Sequence, residues 1–246
     1  MLTRLPDGFS ALVLGASGGI GRAVIDALLA SERPTRVIAV SRQKTSHPDP
    51  RFESLVLDVS QTDGLATLEK HLDERPLHFV FNAIGMLHDA ASSIAPEKKL
   101  ADLDAEALTR LFHINAVTPA LLLKALEANF KGRHPAVFAS LSARVGSIGD
   151  NRLGGWYAYR ASKAAHNMLM KTAAVELRRR NPELVVVCLH PGTTDTALSL
   201  PFQERVPKGK LFTPAFVAER LLSVLDELPE RKTGLFMDWA GKPVPW

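Results

Sequence analysis

One cysteine and two tyrosines are all that 246 residues offer of either type, and no apolar run approaches the ~20 residues that a bilayer span requires. A lone thiol, Cys188, cannot close an internal disulfide, which excludes a disulfide-held scaffold. Within Leu184-Val185-Val186-Val187-Cys188-Leu189 it reads as a small buried hydrophobe. No charged-then-apolar signal segment opens the chain, because its first apolar run already reads as a strand; a soluble cytoplasmic protein without a membrane partner is expected. Dense charge of one sign is missing too. The net charge of +4 comes from scattered Lys and Arg, so nucleic acid is not an expected partner. The one basic run, Arg178-Arg179-Arg180, ends a predicted helix and complements its carbonyl end. Histidines 88, 113, 166 and 190 are scattered rather than paired as ligands, and no metal is expected. Repeats and low-complexity segments are absent.

What is present is alternation. Short apolar runs at 11–14, 36–40, 52–57, 79–82, 136–141, 184–189 and near 235–238 read as strands buried on both faces. Between them, helical spacing covers about 20–30, 63–72, 105–129, 156–180 and 214–228. This order predicts an α/β fold: a single doubly wound Rossmann domain with a parallel sheet of about seven strands and helices on both faces. Ligands of such sheets sit at the carboxyl ends of the strands, where the chain order reverses.

Gly15-Ala16-Ser17-Gly18-Gly19-Ile20-Gly21 lies between a predicted strand and a predicted helix. In that context glycines permit a tight turn and close approach to a pyrophosphate, while the helix start supplies amides and a favourable dipole. The second strand ends Ala39-Val40-Ser41-Arg42, without the carboxylate that would receive a ribose 2′-hydroxyl. Arg42 offers a donor fork suited to a phosphate and Ser41 adds a hydroxyl, so NADP(H) is expected in preference to NAD(H), which remains possible. Further along, Tyr159 and Lys163 stand one helical turn apart and share a face. A neighbouring cation lowers a phenol's pKa, which makes the pair a candidate general acid for a carbonyl oxygen.

Taken together these motifs resemble the short-chain dehydrogenase/reductase family along nearly the whole chain. The glycine loop matches the family's pattern, with Leu14 in place of the usual Thr. Asn82-Ala83-Ile84-Gly85 is similar to its Asn-Asn-Ala-Gly, shortened at its start by Phe81. Asn115 matches the asparagine of the central helix, Asp58-Val59 the adenine contact, and Pro191-Gly192-Thr193-Thr194-Asp195-Thr196 the segment at the nicotinamide. The stretches 146–151 and 154–163, Phe236-Met237-Asp238-Trp239 and the terminal Trp246 resemble the C-factor/Sniffer-type carbonyl reductase branch, which includes a protein associated with cell-to-cell signalling.

The resemblance implies an NADP-dependent interconversion of carbonyl and alcohol. Tyr159 would donate the proton, while Lys163 would depress the tyrosine pKa and hold the nicotinamide ribose. Asn115 would hold a water that links Lys163 to solvent. Residues Gly15, Ser17, Gly18, Gly19, Ile20, Gly21, Pro191, Gly192, Thr193, Thr194 and Thr196 would line the nucleotide. It also implies a cofactor half at about 1–135, a catalytic and substrate half at about 136–246, and a homo-oligomer, dimer or tetramer, paired through the helices beginning near Ala105 and Trp156. The chain departs from the family at the end of the fifth strand: where two serines are usual it has Ser142 and Ala143. Ser142 is the candidate to polarise the substrate oxygen, with Ser147 behind it. Trp156 and Phe202 flank the expected cleft as candidate substrate contacts, and the loop after Thr196 could act as a lid. The rival reading is an NADP-binding signalling or regulatory protein with weak or lost catalysis, which Ala143 keeps open.

Overall fold

The computed structural model describes residues 1–229 and 232–246. Seven strands form one parallel sheet: β1 (Ser10–Leu14), β2 (Arg36–Ser41), β3 (Phe52–Val56), β4 (Phe79–Asn82), β5 (Ala136–Leu141), β6 (Leu184–His190) and, after the short pair β7 (Thr193–Thr194) and β8 (Leu211–Phe212), β9 (Leu235–Asp238). Their order is β3-β2-β1-β4-β5-β6-β9, so the chain reverses direction across the sheet between β1 and β4. The helices are α1 (Gly19–Leu29), α2 (Thr62–Leu72), α3 (Ala105–Phe112), α4 (Thr118–Ala125), α5 (Tyr157–Leu177) and α6 (Pro214–Asp226).

Both faces of the sheet are covered, which is why its central strands β1, β4, β5 and β6 are almost wholly buried, whereas the edge strand β3 is only partly so. Odd-numbered strand residues such as Val13, Val37, Phe81 and Ala139 pack with Val24, Leu28, Val217 and Leu221 of α1 and α6. Even-numbered ones such as Leu12, Ile38, Val80 and Phe138 pack with Leu68, Leu122, Met170 and Ala174 of α2, α4 and α5. Cys188 belongs to this second layer, and burial pushes its thiol up to about 12. Among the described residues no helix is long and apolar enough to cross a membrane.

The helix expected as one rod over 105–129 is interrupted. A π turn, His113–Val117, separates α3 from α4, and a short 3-10 turn, Ala128–Phe130, ends the run. Pro119 has no N–H to return to the Asn115 carbonyl four residues back, and the Thr118 N–H reaches the His113 carbonyl five residues back instead. The bulge carries Asn115, fully buried. At the other end of α5, Arg178-Arg179-Arg180 falls just past the last helical turn, where Arg180 pairs with Glu127 and Glu176.

Candidate active site

The turn after β1 is held by backbone hydrogen bonds, two of them to the end of β2. The amides of Gly15 and Ala16 both donate to the Val40 carbonyl, at 3.0 and 3.1 Å, and Gly18 N–H donates to Gly15 O at 3.0 Å. Gly15 has φ +74°, and a Cβ there would stand 3.0 Å from the Ala83 carbonyl carbon. At Gly21 a Cβ would run into the Gly15 carbonyl, so the close packing of helix start on turn requires glycine. Ser17, Gly18 and Gly19 are exposed, and α1 begins with no side-chain cap and no acid in its first turn. These open amides at a helix start suit an anionic pyrophosphate.

Opposite stands α5. Tyr159 is 7% exposed, and the Lys163 ammonium lies 5.9 Å from its ring centre. Tyr157, by contrast, is exposed on the outside of the same helix. Lys163 Nζ donates to the Leu141 carbonyl at 2.9 Å, and a Cβ on Gly85 would be 3.6 Å from that nitrogen. The ends of β4 and β5 therefore meet at Lys163. Burial lowers the Lys163 pKa to about 8. The expected depression of the phenol is not what the structure produces: burial raises Tyr159 above its ordinary value, and the ammonium is engaged by Leu141 rather than by the phenol.

Asn115 is a brace. Its side chain exchanges two 2.8 Å hydrogen bonds with the backbone of Met86 and donates to Ser162 Oγ at 3.0 Å. Those bonds tie the turn after β4 to α5 and engage the Asn115 side chain, so a water held by Asn115 would meet its backbone. Asn82 donates to Ser140 Oγ at 2.9 Å, and its Oδ1 accepts from Ile84 N–H. Ser142 is displaced from its expected role as well. By strand parity it faces α5, is 3% exposed and donates to Asn167 Oδ1 at 2.6 Å, so its proton is not offered to the cleft. Ser147 is buried and accepts from Asp150 N–H. Ala143 packs against the apolar cluster that contains Tyr159, together with Leu87, Leu111, Trp156, Leu198 and Phe202.

Trp156 and Phe202 do come together, with ring centres 5.0 Å apart, and Trp156 meets Tyr159 edge-on at 6.3 Å. Trp156 adopts φ +53° after Gly154 and Gly155, at +64° and +66°. Three left-handed residues in a row precede α5, and the tryptophan's share costs about 1–3 kcal/mol. One residue that sequence reasoning missed holds this turn. Glu97, from the segment between β4 and α3, accepts Trp156 N–H through its carbonyl at 2.6 Å and Ala158 N–H through its carboxylate at 3.3 Å. A clue was available: α5 has no capping side chain of its own.

On the far side of the glycine turn, Arg42 is exposed, while Ser41 is buried and donates its hydroxyl proton to Gln43 O at 2.6 Å. Asp58 is exposed; burial works to raise its pKa, but hydrogen bonds from Ser60 and the charges of Arg42 and Arg110 hold it below its ordinary value. The Val59 side chain packs in the core, leaving only its backbone for a ligand. After β6, Gly192 (φ +73°) turns the chain beside Phe212 and Trp239, and the Thr196 methyl crosses to Gly19. The Thr194 hydroxyl is buried and has no hydrogen-bond partner among the described residues. No group of three or more metal-ligating side chains occurs among the described residues.

The short chain dehydrogenase family matches this chain over residues 10–206. The C-signal protein of Myxococcus xanthus is 36% identical over 148 residues, covering 60% of this chain and 83% of the relative. The crystal structure of NADPH-bound carbonyl reductase from chicken fatty liver superposes with TM-score 0.82 at 26% identity, over 98% of this chain and all of that one. The carbonyl reductase Sniffer of D. melanogaster shares the fold, with TM-score 0.79 at 22% identity and coverage of 98% and 100%.

Proposed function

The chain belongs to the short-chain dehydrogenase family, and from that premise we propose that it is an NADP(H)-dependent oxidoreductase that interconverts a carbonyl and an alcohol on a small, largely apolar substrate. One observation carries this reading. Tyr159 and Lys163 are buried side by side where the ends of β4 and β5 meet, across from an uncapped helix start behind a glycine turn. Gly15, Ser17, Gly18, Gly19, Ile20 and Gly21 would hold the pyrophosphate; Ser41, Arg42, Asp58 and Val59 the adenosine end; and Asn82 to Gly85 with Pro191 to Thr196 the nicotinamide end. The bound nucleotide supplies the hydride.

The chain's residues supply the proton and the walls. A phenol raised by burial is protonated at neutral pH, the form that can donate to a carbonyl oxygen. Lys163, at about 8, still carries its charge there and holds positive potential beside the developing oxyanion. Leu87, Ala143, Trp156 and Phe202 form a largely apolar wall in which the Trp156 indole N–H is the one side-chain donor among the four. Support for NADP(H) comes from Arg42 and the lack of an acid at the end of β2, and from the NADPH in the chicken enzyme. The halves at about 1–135 and 136–246 would divide nucleotide from substrate. Exposed Val117, Leu121, Met168 and Val175 on the outer faces of the helical layer support a homo-oligomer, and a cytoplasmic location is proposed with it.

The test is NADPH consumption with a panel of aldehydes, ketones and quinones. Tyr159→Phe is expected to lower turnover by about 10²–10⁴ while keeping NADPH affinity, and Tyr157→Phe to leave both unchanged. Equal affinity for NADPH and NADH would overturn the cofactor preference. The second reading, a regulatory nucleotide-binding protein, is favoured by one feature, the apolar Ala143 beside Tyr159. Tight NADPH binding without turnover on any panel member would select it.

A further inference from the structure

We propose that Glu97 is the positioning residue of this site, holding Tyr159 and Trp156 in place through the first turn of α5; the inference rests on the function just proposed for Tyr159. Four observations support it. First, α5 lacks a local cap, because the residue before it is Trp156, whose side chain makes no capping bond, and its first turn has no acid. The helix start nevertheless carries Tyr159 as its third residue, within the turn that frays first when its amides are left unpaired. Second, Glu97 does a cap's work from 61 residues away, with both carboxylate oxygens 3.3 Å from the Ala158 amide. A carboxylate there also complements the positive end of the helix dipole.

Third, the same residue grips the strained turn. Its carbonyl accepts Trp156 N–H at 2.6 Å and would stand 3.5 Å from a Cβ on Gly155. The left-handed Trp156 is therefore pinned from both sides: by Glu97 on its amide, and by Tyr159 and Phe202 on its ring. Fourth, Glu97 is 6% exposed and forms no ion pair among the described residues, so the carboxylate is not a solvated surface group. Glu97 does not touch the reacting atoms in this arrangement. It acts through the amides it holds.

The experiment follows amide hydrogen exchange across 155–163 and NADPH-dependent turnover of the best panel substrate, in wild type, Glu97→Ala and Glu97→Gln. Glu97→Ala is expected to speed exchange in that stretch about tenfold. Its kcat should fall by about 10–100-fold, as small displacements of a reacting group do, with NADPH affinity within about twofold. Glu97→Gln keeps an acceptor of the same reach and should recover kcat to within about threefold of wild type. The proposal is overturned if exchange and kcat are unchanged in Glu97→Ala, if NADPH affinity collapses together with kcat, or if Glu97→Gln is no better than Glu97→Ala. Should Glu97→Ala not fold, Glu97→Asp, shorter by one methylene, is held to the same criteria. A wild type that turns over no carbonyl would sink the proposed function, and the exchange result would then decide the role of Glu97 by itself.

Discussion

Around the carboxyl edge of the sheet, the turn after β1 is made from consecutive residues, whereas the wall facing it is assembled from Met86, Glu97, Asn115 and Leu141 closing on one helix. The first wall works through missing atoms: glycines that let backbone approach backbone, and a helix start left uncapped. The second works through added bonds, with Ser162, Lys163 and Asn167 of α5 each tied to a distant segment. A wall of the first kind breaks when an atom is inserted. One of the second kind breaks when a brace is removed, and it fails in proportion to what the brace held.

The sharpest way to break the first wall is Gly21→Ala. Its methyl would run into the Gly15 carbonyl, and the obstruction is backbone that no side-chain rotation can relieve. Overpacking of this kind costs about 1–3 kcal/mol in stability. Because the displaced turn is the proposed pyrophosphate site, NADPH affinity should drop at least ~10-fold, as a loss of about 1.4 kcal/mol would produce. Fluorescence titration with NADPH checks this; affinity equal to wild type would mean the turn tolerates the methyl and the wall is not built by exclusion.

The second wall meets a subtler challenge in Ser142→Ala. If Ser142 served the substrate, the loss would appear in kcat, on the order of 10²–10³. Its hydroxyl instead donates to Asn167 inside the seam between β5 and α5. Removing it leaves the Asn167 oxygen buried with one partner fewer, a cost of about 1–3 kcal/mol. Urea melts should therefore show lost stability while kcat stays within about threefold of wild type. A collapse of kcat at unchanged stability would restore Ser142 to the substrate.

That contrast also explains what could be read from residues alone. The glycine turn and the Tyr159–Lys163 pair were legible because each is spelled by residues within a single short stretch, and local spacing fixes the face that Tyr159 and Lys163 share. Most of the sheet strands were legible from apolar runs buried on both sides, while the edge strand β3, which carries Glu53 and Ser54, is only partly buried. What escaped depends on contacts far apart in sequence. Glu97 reaches Ala158 across 61 residues, and Ser142 reaches Asn167 across 25. The direction of the phenol's shift escaped for the same reason, since it depends on how deeply Tyr159 is buried and on Lys163 being drawn to Leu141. The π turn had a local signal in Pro119, but a proline so early in a helical run is equally compatible with a new helix start.

His166 is the exception on the braced wall, and it yields the smallest and most specific effect. It is fully buried on α5, and neither ring nitrogen has a hydrogen-bond partner among the described residues. Burial, then the charge of Lys163, holds its pKa well below the usual value, so the folded imidazole stays neutral. The unfolded chain takes up that proton near its ordinary pKa of ~6.5, which sets the sign. The neutral group's contribution is fully present above about pH 6.5 and is lost as pH falls, by about 1.4 kcal/mol per pH unit. His190, lowered to about 4, acts in the same sense over a narrower range and is unaffected by a change at 166. His166→Leu should therefore gain about 1 kcal/mol at pH 7.5 by removing an unsatisfied polar group, and its margin over wild type should widen steadily at pH 6 and pH 5. Urea melts at the three pH values measure it. A margin that does not widen would mean the imidazole is protonated as readily in the fold as outside it, and that the wall around Lys163 is wetter than its contacts describe.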